Sequence, residues 1–349
     1  MVPTHEDVAL KANLVDFASE LSYRKSGKEP ERQAKGTEVS GQTVLKAVRL
    51  LDTRVQSEAD KERRKVKVLY IEADEDHVPS QDGTNVEVPL VYVHEGKFRQ
   101  GSRSHLKNVH YFSGVYSHAE ELWYDVLNYI NCNYDLDKVE HIYICGDGAK
   151  WIRLGTKIIP KSTFVLDRYH LARYIAAALG KGNELSREIW QAIRDVDLEK
   201  AKAVLKKAYR SAQTEGRRKA VKQCRRYIVG NWDGIKVYKT SPEVIGCSAE
   251  GHVSHVLSAR LSSRPMGWSR PGMDQMARIR VLKANGINIK EQYLKQLGKP
   301  ATVLKVCQTS LQQQRKLLER PPFETLGNIP ALKGPTTSLA QILRAIKSA

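Results

Sequence analysis

Two segments of this chain read as β-strands that each run straight into an aspartate. The first is VKVLYIEAD, ending at Asp74; the second is EHIYIC, followed by Gly146-Asp147-Gly148. Carboxylates at strand ends constrain the fold strongly. Neighbouring strands lie about 4.8 Å apart, so two such ends set side by side bring two carboxylates within reach of one cation. The elements around them decide which strands can be neighbours. Val66 to Asp74 is rich in β-formers, VPLVYVH (Val88 to His94) follows a polar turn at Gln81 to Asn85, and NVHYFSGVY (Asn108 to Tyr116) makes a third strand. These three suit an antiparallel meander, with Pro89 near a strand start, where a missing N–H is tolerated. Ser117 then caps a helix, HAEELWYDVLNYIN, with Leu122, Val126, Leu127 and Ile130 along one side. Glu140 to Cys145 is the fourth strand, GAKWIRLG a short helix closed by Gly155, and Ser162 to Leu166 the fifth strand. The order is βββαβαβ. A helix crossing between adjacent strands makes those strands parallel.

The flanks are helical. In residues 5–62, Val8, Leu10, Leu14, Val15 and Phe17 recur near helical spacing. YRKSGKEPERQ makes a second helix, weakened by Gly27 and Pro30; Lys35 to Glu38 is a turn; Ser40 caps GQTVLKAVRLLDTRV. Helix, helix, turn, helix is the order of a helix-turn-helix DNA reader, in which Gln42, Thr43 and Lys46 face the major groove. A packing helix with a solvated face is the equal alternative. Residues 169–232 are almost wholly helical in pattern, and Lys181 to Arg226 holds 14 Lys plus Arg against 6 Asp plus Glu. That is too long for a loop and reads as a helical insertion. Ser248 starts a further helix, AEGHVSHVLSARL; a basic helical stretch covers about 273–297, and the tail from 320 is turn-rich. The expected division is a helical DNA-binding region (1–62), a core built from 63–168 and 246–265, a basic insertion (169–245) and a C-terminal region (266–349).

Composition selects the partner. Lys plus Arg is 57 and Asp plus Glu 39, a net charge of +18. That excess favours an anionic polymer, most simply DNA or RNA. No apolar run approaches the roughly 20 residues a membrane span needs. The start, MVPTHEDVALK, lacks the apolar core of a secretion signal. Five scattered cysteines make no disulfide framework, so a reduced, cytoplasmic protein is expected.

Carboxylates in a basic chain point to metal-assisted phosphoryl transfer, in which two Mg²⁺ or Mn²⁺ ions stabilise the attacking and leaving oxygens. Asp74 and Asp147 are the candidate ligands, with Glu250, in the first turn of the helix after the insertion, as the third. Asp74 lies in an acidic cluster with Glu72, Glu75 and Asp76 that also reads as a solvated turn; Asp76 serves equally well as the ligand; and Asp147, in an Asp-Gly pair, also suits an ordinary turn or the cap of the next helix. Asp167-x-x-His170, where strand five enters a helix, suits a pair that orients a ligand or phosphate from behind; a cap plus a packed histidine accounts for it as well. Cys247, His252 and His255 give only three ligands for zinc, with no CxxC partner. Trp151 and Trp268 suit base stacking, with core packing as the default. Arg153, Lys157 and Lys161 are candidate phosphate contacts, or a solvated surface.

YIEADEDHV, LVYVHEGK, IYICGDGAKWI, FVLDRYHLARY and CSAEGHVSHVLSARLSSRPMGWS, in that order between Tyr70 and Ser269, together resemble bacterial insertion-sequence transposases of the ISLre-two family, a group similar to Mutator-like transposases. The resemblance implies a DDE transposase with a ribonuclease H-like catalytic core, a helical insertion and an N-terminal helix-turn-helix that binds element ends. It carries Asp74, Asp147 and Glu250 over as the catalytic, metal-binding triad and Asp167 with His170 as the Cys-or-Asp-x-x-His motif. It implies two Mg²⁺ or Mn²⁺ ions, cleavage at terminal inverted repeats, strand transfer into target DNA, and a homodimer or larger assembly on DNA. Family members usually carry a longer N-terminal region, which implies a truncated copy. A ribonuclease H-like nuclease and an inactive DNA-binding remnant are the alternatives.

Overall fold

The computed structural model describes residues 5–34, 38–54, 62–101, 103–264 and 266–297. The chain divides into two units at Leu294. The elements below belong to the first; of the second, only the end of the last helix is described. Residues 35–37 of the expected turn at Lys35 to Glu38, and the tail from 320, lie outside the described residues.

Three helices open the chain: α1 (His5–Glu20), α2 (Tyr23–Ala34) and α3 (Gly41–Leu50). Ser40 caps α3 as expected, its side chain accepting from the Thr43 N–H. The second helix runs through both Gly27 and Pro30. Gly27 is required there, because the Val39 carbonyl lies where a β-carbon would stand. The Val39 N–H in turn donates to the Gly27 carbonyl at 2.8 Å.

The centre is a five-stranded sheet: β1 (Val68–Pro79), β2 (Asn85–His94), β5 (His110–Ser113), β6 (His141–Gly146) and β7 (Ser162–Leu166), in the order β5-β2-β1-β6-β7. A separate hairpin, β3 (Lys97–Gln100) with β4 (Arg103–Leu106), springs from the end of β2. β2 runs antiparallel to β1 and β5, whereas β1, β6 and β7 are mutually parallel. The fold is thus mixed α/β. The meander and the two parallel crossovers follow the expected order. Three details differ. The first strand extends five residues past Asp74, held by β2 as far as Pro79↔Asn85. The third strand is shorter than expected, and the hairpin was unforeseen, its alternation being too brief to register.

α4 (Ala119–Asn133) crosses from β5 to β6, and α5 (Lys150–Ile158) from β6 to β7. His118, not Ser117, stands at the cap of α4, and its side chain makes no capping bond; Glu120 and Glu121 instead place negative charge in the first turn. Gly155 does not close α5. It sits inside the helix, because the buried Trp123 ring lies against it, 2.7 Å from where a β-carbon would stand.

The insertion is mostly helical: α6 (Arg168–Leu179), α7 (Glu184–Asp195), α8 (Leu198–Ser211), α9 (Glu215–Gly230) and α10 (Trp232–Thr240). Beyond it, α11 (Ala249–Val253), a π-turn segment (Ser254–Ser258) and α12 (Ala259–Leu261) follow one another without a break, before α13 (Arg270–Ala284) and α14 (Ile289–Leu297).

Strand alternation sorts the layers. Leu69, Ile71 and Ala73 of β1 face a core shared with α4, α5, α6 and α9. The opposite face of the sheet, through Val78, Val88, Leu90 and Tyr92, packs on α1, α3, the 249–261 helix and α13. On that second face β1 also presents Glu72, Asp74 and Asp76, all buried. The buried Arg280 guanidinium joins three of the helices there, donating to the carbonyls of Ser19, His255 and Val256.

Candidate metal centre

Asp74 and Asp147 stand at the same level of neighbouring parallel strands. The last paired residues of β1 and β6 are Glu72 and Cys145, and each aspartate lies two residues beyond its member of that pair. The 249–261 helix then crosses the sheet beside β1, bringing Glu250 from its first turn. From the β7 side, α6 begins at Asp167, whose carboxylate accepts from the Tyr169 N–H and from His170 Nδ1 at 2.8 Å. That bond aims His170 Nε2 at Glu250, 4.0 Å from its Oε2. One potential ligand atom each from Asp74, His170 and Glu250 lies within 4.8 Å of the others. Among the described residues no other cluster of His, Cys, Asp and Glu meets that spacing.

The electrostatics fit a cation. Burial pushes the Asp74 carboxyl up to about 6; the Glu75 N–H and His170 oppose this, while Asp147 and Glu250 add to it. The hydrogen bond to Asp167 raises the His170 imidazole, against burial and with help from Asp74 and Asp147. Acidic groups this crowded disfavour their own ionisation, and a divalent ion relieves that. The two carboxylates are hard oxygen donors suited to Mg²⁺ or Mn²⁺, and the single imidazole is a softer, borderline donor.

Asp147 stands slightly apart. Its Oδ1 accepts from the Ala149 N–H, so part of its capacity is spent holding the turn into α5. The insertion braces that turn. Tyr227 of α9 donates to the Asp147 carbonyl at 2.7 Å, and Asn231 lies against Gly148, whose φ of +94° suits glycine. Arg153, a candidate phosphate contact, belongs to the same brace: it donates to Asn231 and to both oxygens of Asp233, and stacks over Phe164. Lys161 donates to the carbonyls of Leu136 and Val139. Lys157 is exposed, as are Gln42, Thr43 and Lys46 on α3.

Other acidic and aromatic candidates separate. Asp76 turns to the Ser262 hydroxyl at 2.8 Å, away from the cluster. Glu75 points to the opposite face of the sheet, where Trp151 Nε1 donates to it at 2.7 Å; burial, with Asp147 and Asp74 nearby, pushes it up to about 7. Trp268 is buried, with its N–H on the Leu261 carbonyl. His252 packs on Tyr92 and bonds Tyr111, while His255 is exposed, so neither joins Cys247 around a zinc ion.

One acid of the cluster around Asp74 lies not on a solvated turn but buried within β1. Glu72, only 2% exposed, accepts from Tyr92 Oη at 2.6 Å, from His94 Nε2 at 3.1 Å and from both the N–H and hydroxyl of Ser248. Lys97 Nζ lies 3.5 Å away. Burial alone raises such a carboxyl, but His94, Lys97 and Tyr92 overcome it and hold Glu72 down at about 2. The available signal was the alternation Glu72, Asp74, Asp76 on one strand face.

Fold and site together define a mixed α/β protein with a carboxylate–histidine cluster at the carboxyl ends of its parallel strands. The chain belongs to the uncharacterised protein family UPF0236, which it matches over residues 4–296. A UPF0236 protein of Caldanaerobacter subterraneus subsp. tengcongensis is 43% identical over 342 residues, covering 97% of this chain and 72% of its own length; its name joins four locus designations. A second from the same organism is 42% identical over 351 residues, covering 99% of this chain and 74% of its own length; its name joins eleven. A UPF0236 protein in the vanSb 3′ region of Streptococcus gallolyticus is 27% identical over 235 residues, covering 65% of this chain and 52% of its own length.

Proposed function

We propose that this protein is a DDE transposase of an insertion sequence, with a ribonuclease H-like core that cuts and joins DNA at the Asp74–Asp147–Glu250 centre. The observation that carries this reading is the meeting of Asp74, His170 and Glu250 within 4.8 Å, from segments far apart in sequence, in a chain of net charge +18. Sheet order supports it: an antiparallel meander, then two parallel crossovers, with Asp74 on the central strand and Asp147 just past the end of the one beside it. A relative's name that joins eleven loci of one organism suits a gene that copies itself within a genome.

Asp74 and Glu250 would hold divalent ions, with Asp147 across the strand pair and His170 lending nitrogen or orienting a phosphate. Bound there, the ions would supply Lewis acidity for in-line displacement at phosphorus. The chain's own residues do the positioning. Asp167 fixes the His170 ring, and the Tyr227–Asn231–Arg153 brace fixes the Asp147 turn. Exposed cations of the insertion would grip the DNA backbone.

The test is strand cleavage of DNA carrying the element ends with Mg²⁺ or Mn²⁺, comparing the chain with Asp147→Ala. Metal-dependent nicking at the ends, reduced at least about a thousandfold in the variant, is expected. Nicking without preference for the ends would point to a nuclease of the same core; binding without cleavage by either protein, to a remnant that keeps only its DNA grip.

A further inference from the structure

Glu72 is a buried carboxylate on the same face of β1 as Asp74, two residues before it. Its acceptor capacity is filled by Tyr92, His94 and Ser248, with Lys97 closing the fourth side. The Gly96 N–H donates to His94 Nδ1 at 3.1 Å, which leaves Nε2 as the donor toward Glu72. The Lys97 ammonium also reaches the Gly246 carbonyl, so both sides of the segment that enters α11 are tied to this one cluster. Ser248 stands at the N-terminus of that helix, and its hydroxyl makes no capping bond within it. Both its polar groups go to Glu72 instead. Glu250 follows two residues later, on a side chain about half exposed whose described contact is the His170 imidazole at 4.0 Å. At the far end of the same helix, Asp76 holds the Ser262 hydroxyl. The three carboxylates of one face of β1 thus meet the helix at its start, beside Glu250, and at its end.

We infer that Glu72 is a positioning residue for the metal centre: by gripping Ser248 it sets the height and rotation at which α11 presents Glu250 to Asp74 and His170. The inference rests on the metal-centre reading for what Glu250 does, but the anchoring itself is measurable without it. A carboxylate is suited to the task because it accepts from four donors at once, and the amide of glutamine must turn a donor toward one of them. Buried polar networks of this kind are unforgiving when half satisfied.

The experiment uses the full chain and compares Glu72→Gln, Glu250→Gln and the double variant by two readouts: hydrogen exchange of residues 248–253 and Mn²⁺ affinity by calorimetry. Glu72→Gln is expected to speed exchange in 248–253 while β1 and β6 stay protected, and to weaken Mn²⁺ binding about tenfold. The double variant is expected to bind Mn²⁺ no more weakly than Glu250→Gln alone, because Glu72 acts only through Glu250. Unchanged exchange at 248–253, or losses that add, overturns the inference. Should Glu72→Gln fail to fold, Tyr92→Phe removes one donor only and is expected to give a smaller change in the same segment. A parent protein that binds no Mn²⁺ would remove the metal-centre reading, while the exchange data would still decide whether Glu72 anchors the helix.

Discussion

Asp74 shows how a single residue carries opposed demands. It is buried, faces Asp147 and Glu250, and its carboxyl is raised from an ordinary 3.8 to about 6. An acid raised on folding binds more protons in the folded state, so its favourable contribution is complete below the ordinary value. That contribution is lost as pH rises through about 6, and above that the charged group is a liability to the metal-free protein. Asp74→Asn is therefore expected to stabilise the metal-free protein at pH 8 by about 2 kcal/mol and to flatten the fall in stability between pH 4 and 7. Urea unfolding of both proteins at a series of pH values, with chelator present, checks this. A variant destabilised at pH 8 would mean that Asp74 is held by favourable contacts rather than strained for function. Asp147 and Glu250 are legible as residues, since one follows a strand and the other opens a helix; Asp74 is legible as an acid of the first strand, although that strand runs five residues past it. Their partners are not. Arg153 and Asp233, or Glu72 and Ser248, are 80 and 176 positions apart, and no local signal joins them.

At the scale of the element, spacing and caps predicted most of what forms, and packing overruled them in particular places. By sequence Gly155 suits a helix stop, because glycine favours that role. In the folded chain it is a helix interior residue under Trp123, selected by contact. Gly155→Ala separates the two explanations. Intrinsic propensity alone would gain about 1 kcal/mol. The Trp123 ring, 2.7 Å from the new β-carbon, reverses the sign, and a net loss of about 1–3 kcal/mol in thermal unfolding is expected. A gain would show that the ring can yield. Gly27 carries the same lesson on α2, where the approach of Val39 requires the glycine that lowers helix propensity. The β3–β4 hairpin was missed because four-residue strands alternate too briefly to be read.

The whole molecule adds what no element holds. The chain carries a net charge of +18 around a centre that gathers Asp74, His170 and Glu250. If the surface binds DNA, affinity measured by fluorescence anisotropy is expected to fall with salt at a log–log slope steeper than about −4, near −0.9 per phosphate neutralised. A slope near −1 would count against the insertion as the DNA-holding surface. No helix among the described residues is long and apolar enough to cross a membrane, in keeping with the polar character of the chain. The sequence alone determined the order of the five sheet strands and their crossover helices, the parallel strands, the helical insertion and the identity of the acidic residues, because period, turn chemistry and charge are local properties. Tertiary structure alone decided that His170 joins Asp74 and Glu250 directly, that Arg153 and Lys161 are spent inside the fold, and that Glu72 holds the start of the Glu250 helix. Those facts depend on which distant donor reaches which acceptor, and only the packed sheet and its helices fix that.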